Sequence, residues 1–317
     1  MKRLLYLCAA LLFALPLQAQ DYPTKLISIV VPFPPGGGVD RAGRLIGDKL
    51  RERWGQPVVV ENRPGAAANI GAAYVFKAPP DGHTLLFTSP GPLVVNKTMF
   101  ANMNYDPDQF VPVTVLMSGA NMLTVHPKVG VNTLQEFLAY ARANPGKLNY
   151  GTQGAGSTAH LATELLQSSA GISMVHVPYK GTGPAVADLL AGSVEVMFLE
   201  YANAAPHVRA GRLKLIAVGS EKRHPLLPDV PALNEVVPGF SSTNWTAVVA
   251  PPGTAPAIAA KLSATMAEIL KQPDVVKQLQ DLNNDPIGNT PEQMSAFVRQ
   301  ESARWGEVIR KAGIKAE

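Results

Sequence analysis

The sequence predicts an α/β fold of two lobes, each with a parallel-rich sheet and flanking helices. Strand-like apolar runs alternate with helical segments along most of the chain, which is the pattern of parallel strands joined by crossover helices. The order of strand, glycine-rich loop and helix occurs twice, with the two loops about 120 residues apart. Because 317 residues are too many for one ordinary core, two compact units are expected.

The N-terminus has the composition of a secretory signal peptide. Lys2 and Arg3 precede an apolar run over residues 4–17, and small residues follow it. The apolar run is too short to span a bilayer as a helix. We therefore expect residues 1–19 to be a signal peptide that is cleaved after Ala19, and the mature protein to be exported to the periplasm.

Charge and cysteine usage exclude several classes of function. Loss of the signal peptide lowers the formal net charge from +4 to +2, and the remaining basic residues are scattered, so no nucleic-acid partner is expected. The only cysteine, Cys8, lies inside the signal peptide. The mature chain is therefore expected to lack disulfides, thiol catalysis and thiolate metal sites.

The first glycine-rich loop follows a nearly continuous apolar strand at 26–31, typical of a parallel strand covered on both faces. Gly36, Gly37 and Gly38 lead into an amphipathic helix over 39–54. The first turn of a helix presents N–H groups without intrahelical acceptors, so this loop predicts an anion site. No lysine follows the glycines and Arg41 replaces the third glycine of a dinucleotide fingerprint, so neither nucleotide motif is met.

The remaining elements are predicted from apolar runs, helical spacing and the Gly/Pro clusters that end them. Strands are expected at 57–60, 84–88, 147–150, 174–177, 194–198, 213–218 and 245–250. Helices are expected at 66–77, 157–170, 184–190, 255–271, 273–282 and 291–312. The late helices need a sheet to cover, and the first lobe has one available. We therefore expect lobe 1 to contain residues 20–122 and 245–317, and lobe 2 residues 123–244.

The second glycine-rich loop, Gly154-Ala155-Gly156-Ser157-Thr158, also opens a helix. It fits the pattern of a dinucleotide loop, but the next strand ends without the acidic residue that would bind the ribose. Ser157 is interpreted as a helix N-cap, as an anion ligand, or as both. Because ligands of open α/β sheets collect beyond the carboxyl ends of the strands, the two loops are expected to face one cleft.

The sequence gives little support for a catalytic site or a metal site. Ser157 and His160 lie three residues apart on one helix, which does not make a nucleophile and base pair, and no cofactor is expected. The six histidines show no metal-ligand spacing. Asp40 is interpreted as a helix cap, with orientation of a ligand amine as the alternative. Lys180 either pairs with a second ligand carboxylate or is solvated in its loop.

Several motifs, which occur in the order of the family, resemble the solute-binding proteins of tripartite tricarboxylate transporters, also called Bug receptors. They are Phe33-Pro34-Pro35-Gly36-Gly37-Gly38, Val58-Val59-Val60-Glu61-Asn62-Arg63-Pro64-Gly65-Ala66, Leu148-Asn149-Tyr150-Gly151, His176-Val177-Pro178-Tyr179-Lys180-Gly181, Leu227-Pro228-Asp229-Val230-Pro231 and Ala312-Gly313-Ile314-Lys315. The resemblance runs from about Tyr22 to the C-terminus.

This resemblance implies a type II periplasmic-binding-protein clamshell that closes on a small carboxylate and delivers it to a membrane permease. A dicarboxylate, an amino acid or an aromatic or other organic acid is implied as the ligand, and a monomer is expected. The resemblance also implies the binding residues, which are Phe33, Gly37, Gly38, Val39, Ala155, Gly156, Ser157 and Thr158 in the two loops, with Ser89, Lys180, Gly181 and Thr182 completing the wall.

Two departures from the family pattern affect the expected ligand. Val39 stands where a threonine is common and removes a hydroxyl donor. Leu199 and Glu200 stand where a polar pair is common, in a segment that the resemblance directs to the far end of the ligand. The leading hypothesis is a transport receptor without enzymatic activity. The alternatives are an exported hydrolase or transferase that uses Ser157, and a ligand-sensing subunit for a signalling partner.

Overall fold

The computed structural model describes residues 22–281 and 284–315. The expected signal peptide and its cleavage site after Ala19 lie outside the described residues. Within them, the chain forms a mixed α/β structure of ten strands and ten α-helices, with short π- and 3₁₀-helical turns between some of them.

The first part of the chain has a regular alternation of strands and helices. In order, these are β1 (Ile27–Val31), α1 (Gly38–Trp54), β2 (Val58–Asn62), α2 (Asn69–Phe76), β3 (Thr84–Thr88), a π-helical turn (Gly91–Val95), α3 (Asn96–Met99) and the long strand β4 (Val111–Val125). Helix α1 ends at Gly55, which takes the left-handed conformation (φ +64°) that glycine adopts without strain.

The middle of the chain repeats this alternation. It contains α4 (Leu134–Ala143), β5 (Asn149–Thr152), α5 (Thr158–Ala170), β6 (Val175–Pro178), α6 (Thr182–Ala191), β7 (Val196–Glu200), α7 (Tyr201–Arg209) and β8 (Lys214–Val218). The last part contains β9 (Thr243–Ala250), α8 (Pro256–Ile269), α9 (Pro273–Asp281), β10 (Asp285–Pro286) and α10 (Pro291–Ala312). Helix α10 begins with a capping box in which Thr290 and Gln293 satisfy each other's backbone N–H groups.

The strands run in the order β2-β1-β3-β9-β4-β7-β5-β6, with β8 and β10 pairing with β4 beside this path. Strands β1, β2 and β3 are parallel to one another, and so are β5, β6 and β7. The first part of β4 pairs with β9, and its last residues pair with β7 and β8. One long strand is therefore shared by the two parallel groups, and β9 pairs along much of its length.

Four buried clusters form the core. Two of them take their residues from 22–117 and 245–314, with Leu161 as the exception, and cover the β1-β2-β3 side. The other two take their residues from 120–240 and cover the β5-β6-β7 side. This is the two-lobed, parallel-rich α/β fold that the sequence predicts.

The sequence did not predict β4, α3, α4, α7 and β10, and it placed the ends of β2, β5 and β7 two residues early. Strand β2 continues to Asn62 and β7 to Glu200, beyond the predicted ends at 60 and 198. Polar residues at a strand end break the apolar pattern but still pair with the neighbouring strand. Both extensions matter for the site, because they bring Asn62 and Glu200 to the carboxyl edge of the sheet.

Candidate functional site

A cavity of about 1000 Å³ opens between the two groups of parallel strands. Its walls include both glycine-rich loops, which we call loop 1 (residues 32–37) and loop 2 (residues 153–157). Most of the predicted site residues line it, namely Phe33, Gly37, Gly38, Val39, Ser89, Ala155, Gly156, Ser157, Thr158, Gly181, Thr182 and Glu200. The carboxyl ends of strands from both lobes therefore meet at one cleft.

Loop 1 is held in shape from behind by Asp40. This side chain is buried and accepts hydrogen bonds from the amide N–H of Gly36 (2.9 Å), from Nδ2 of Asn62 (2.9 Å) and from Arg44 (3.0 and 3.1 Å). Asn62 also donates to the carbonyl oxygen of Phe33 (3.0 Å), which ties β2 to the loop. Burial alone would raise the pKa of Asp40, but the bonds from Arg44, Gly36 and Asn62 hold it below its ordinary value.

The start of α1 offers backbone donors to the cleft. Gly37 precedes the helix without a side-chain cap, and the first intrahelical bond is donated by the amide of Arg41 to Gly37 (3.0 Å). The amides of Gly38 and Val39 therefore have no acceptor in the described part of the chain, and both residues line the cavity. Such unpaired N–H groups at a helix start favour an anion.

Loop 2 presents the start of α5 in the same way. Ser157 caps the helix by accepting a hydrogen bond from the amide of His160 (3.4 Å). The amide of Gly156 donates to Nδ1 of the His160 ring (3.1 Å). The amide of Thr158, however, has no acceptor among the described residues, and Thr158 lines the cavity. Two helix N-termini thus face one cavity.

A stack of rings supports loop 2 from below. His160 stacks on His176 (centroids 3.9 Å apart), and His176 stacks on Tyr150 (4.9 Å). Burial, together with the neighbouring His176, lowers the pKa of His160 to about 4, so its ring is neutral at ordinary pH. A neutral ring can accept the Gly156 N–H at Nδ1, and this keeps the loop in place.

These contacts do not pair Ser157 with His160 as a nucleophile and its base. The hydroxyl oxygen of Ser157 caps the backbone of His160, and Nδ1 of that histidine is occupied by Gly156. A general base must be within hydrogen-bond reach of the hydroxyl proton, and the described contacts show no such pairing between Ser157 and the His160 ring. The described residues also contain no cluster of three or more side chains suited to holding a metal ion.

One contact crosses the cleft at Gly156. This glycine has φ +71°, and a Cβ added to it would collide with Sδ and Cε of Met99 at the end of α3. The positive φ favours glycine here, and any side chain would also require the flexible end of Met99 to move. The sequence pattern indicated the glycine but not its partner, because Met99 is 57 residues away along the chain.

The far wall of the cleft contains Glu200 at the end of β7. Nδ2 of Asn244 on β9 donates to Oε1 of Glu200 at 2.6 Å. Burial raises the pKa of Glu200 above its ordinary value, although Asn244 and the positive charge of Arg41 act in the opposite direction. Both Asn244 and Arg41 line the cavity.

Three predicted site residues do not lie on the cavity wall. Asp40 is directed into the network behind loop 1, in agreement with a structural role in the first turn. Leu199 is fully buried in the core of the second lobe, because alternate residues of β7 face opposite sides of the sheet. Lys180 is exposed outside the cavity.

The structure adds cavity residues that the sequence did not single out, including Arg41, Met99, Gln153 and Asn244. Arg41 follows Asp40 directly and one turn of helix places it beside the loop, so its position could have been inferred. Asn244 and Met99 carry no local signal, since only the tertiary fold brings them to the cleft. No helix within residues 22–281 and 284–315 has the length and apolar character needed to cross a membrane.

A family model described as the tripartite tricarboxylate transporter family receptor matches residues 42–314. Protein BugT of Bordetella pertussis is 37% identical over 305 residues, covering 95% of this chain and 94% of its own length.

Two solved structures from Rhodopseudomonas palustris share the fold. Rpa4515, solved with adipate, is 37% identical with a TM-score of 0.83, and the match covers 93% of this chain and 99% of that one. MatC, solved with bound malate, is 34% identical with a TM-score of 0.77 over 91% of this chain and 100% of that one. This chain belongs to the family of tripartite tricarboxylate transporter receptors.

Proposed function

We propose that this protein binds a small carboxylate in the cleft between its lobes and delivers it to a membrane permease of the tripartite tricarboxylate type. Its family consists of solute-binding receptors and not of enzymes. The observation that carries the proposal is that the unpaired amides of two helix starts, α1 and α5, line one cavity. A carboxylate between them would receive N–H donors from both lobes and would hold the lobes together.

The proposed lobes are residues 20–122 with 245–317, and residues 123–244, and we propose that the protein acts as a monomer. The division of the core clusters supports this assignment, since apart from Leu161 the clusters on one side use residues before 118 and after 244, and those on the other use residues 120–240. The boundaries fall within β4 and β9, and these two strands would connect the lobes. Export to the periplasm rests on the proposed signal peptide and on relatives such as the periplasmic binding protein BugD.

A thermal-shift panel tests the ligand class. A ligand that binds only the native state stabilises it by about 2.7 kcal/mol at a hundredfold excess over its dissociation constant. For a chain of this size we expect the Tm to rise by roughly 5–10 °C with at least one small mono- or dicarboxylate. Sugars and simple cations serve as controls and should give no shift. A clear response to sugars or cations with none to any carboxylate would contradict the proposal.

Ser157→Ala should weaken carboxylate binding without abolishing it. The substitution removes one hydroxyl donor but leaves the Thr158, Gly38 and Val39 amides in place. A hydrogen bond to a charged group contributes about 1.5–3 kcal/mol, so affinity should fall roughly ten- to a hundredfold. Ser168→Ala on the exposed face of the same helix is the matched control, and it should bind like the parent protein. Titration calorimetry with a carboxylate from the panel measures both, and equal affinities would remove Ser157 from the site.

A further inference from the structure

Glu200 and Asn244 form a pair on the far wall of the cleft that is rich in hydrogen-bond acceptors. Nδ2 of Asn244 donates to Oε1 of Glu200 at 2.6 Å, and this bond fixes which end of the amide is oxygen. Oδ1 of Asn244 is buried and has no donor among the described residues. The pair therefore presents hydrogen-bond acceptors to a ligand, namely the Glu200 carboxylate and Oδ1 of Asn244. The Nδ2 group of Asn244 already donates to Glu200.

The pair lies close to the proposed anchor for the ligand. Strand β7, which ends at Glu200, is the parallel neighbour of β5, which leads into loop 2, and Tyr150 lies opposite Val196 in this pairing. Neighbouring strands are about 4.8 Å apart. A ligand whose carboxylate is held by the amides of loop 2 would therefore reach Glu200 with a chain of a few atoms.

The surroundings of Glu200 contain little compensating charge. Arg41 of α1 is the charged side chain that acts on it, and Nε of Arg41 donates instead to the carbonyl oxygen of Gly36. The elements packed against β7 contribute neutral groups, which are Asn121 of β4, opposite Glu200 in register, Asn244 of β9 and Tyr201 of α7. A second carboxylate of a ligand bound at this position would thus lie against the Glu200 carboxylate in a partly buried site.

Building on the proposed function, we propose that Glu200 recognises the end of the ligand remote from its anchoring carboxylate. A hydroxyl, amide or ammonium group there binds directly as a donor to Glu200 and Asn244. A second carboxylate binds only together with one proton held between it and Glu200. The reason is that two carboxyl groups within hydrogen-bond distance cannot both ionise without a large penalty, whereas sharing a proton makes them donor and acceptor.

Bound dicarboxylates and bound ω-amino acids differ in their proton content, whatever the protonation of Glu200 in the empty cleft. The complex with a dicarboxylate contains one more proton at Glu200 than the complex with an ω-amino acid of equal length. By linkage, the ratio of the two affinities must change with pH, in favour of the dicarboxylate as pH falls. A glutamine at position 200 cannot titrate and should make the ratio independent of pH.

Titration calorimetry on the mature full chain tests this with two matched ligand series. The probes are succinate, 4-hydroxybutyrate and 4-aminobutyrate, and adipate, 6-hydroxyhexanoate and 6-aminohexanoate. Between about pH 6.5 and 8.5 the carboxylate and ammonium groups of these probes keep their charges. Within each series, binding of the dicarboxylate should take up about one more proton than binding of the amino acid. Their affinity ratio should shift by about tenfold per pH unit.

Two variants complete the experiment. Glu200→Gln should abolish the pH dependence of the ratio. Glu195→Gln, at a carboxylate that is bonded to Lys128 and Asn149 outside the cleft, should retain it. Equal proton counts for the two ligand classes in the parent protein would overturn the inference. So would a retained pH dependence in folded Glu200→Gln, or binding of dicarboxylates with no binding of any donor-ended probe. These outcomes leave the proposed function intact, whereas no binding of any carboxylate at any pH would remove both.

Discussion

Gly156→Val should abolish carboxylate binding while leaving a folded, two-lobed protein. Gly156 lies where loop 2 becomes α5, with φ +71°, a conformation that β-branched residues rarely adopt. Its amide is fixed by His160, and its missing side chain makes room for Met99 of the other lobe. Valine would displace the loop from the His160 ring, would occupy space beside the Thr158 amide, and would displace the end of the Met99 side chain.

The matched control for this substitution is Gly146→Val. Gly146 has nearly the same conformation, with φ +70°, but lies away from the cleft with nothing within 4 Å of an added Cβ. Both variants share the backbone strain, on the order of 1–3 kcal/mol, so any difference in binding comes from the place of Gly156 in the cleft.

Titration calorimetry with a carboxylate from the panel and circular dichroism for folding compare the two variants. We expect no detectable heat of binding for Gly156→Val and parent-like affinity for Gly146→Val. Unchanged affinity in a folded Gly156→Val protein would mean that the ligand binds elsewhere, and the proposed role of the paired loops would be wrong.

The sequence allowed prediction of the parts of this fold that are encoded locally. Strand β1, the two glycine-rich loops and the helices after them follow from apolar periodicity and from glycines at strand-to-helix junctions. The same signals predicted two lobes with parallel-rich sheets. Membership of the transporter receptor family was predicted from motifs and is confirmed by the family match over residues 42–314.

The elements that the sequence did not predict depend on partners far away along the chain. Strand β4 contains Pro112 and Gly119, which locally argue against a strand, and it is stabilised by pairing with β9, about 130 residues further along the chain. Its length is what allows one strand to serve both lobes. The pairing of Glu200 with Asn244 depends on the same arrangement, because β7 and β9 both flank β4.

Asp40→Ala should destabilise the protein and loosen loop 1, although Asp40 is not on the cavity wall. The buried carboxylate accepts bonds from Gly36, Asn62 and Arg44, and its removal leaves the first two as donors without their acceptor. Gly36 is exposed and Asn62 is half-buried, so the cost is that of losing hydrogen bonds to a charged group and not that of burying unpaired donors. This loss is about 1.5–3 kcal/mol, which corresponds to a fall in Tm of roughly 3–10 °C for a chain of this size. Carboxylate affinity should fall as well, because loop 1 carries the Gly37–Gly38 junction that exposes the helix amides.

Asp48→Ala is the matched control for Asp40→Ala on the same helix. Asp48 is exposed and pairs at the surface with Arg51, so its loss should change stability by less than about 0.5 kcal/mol.

The pH dependence of the stability difference between the parent and Asp40→Ala shows whether the ionised carboxylate is responsible. The pKa of Asp40 is depressed, so its contribution to the free energy of unfolding is complete above the ordinary pKa of about 3.8 and is lost as pH falls through the lower folded value. The stability difference between parent and Asp40→Ala should therefore be constant from about pH 5 to 8 and should narrow below about pH 3.8. Equal melting temperatures for Asp40→Ala and the parent at neutral pH would show that the network behind loop 1 does not need this carboxylate.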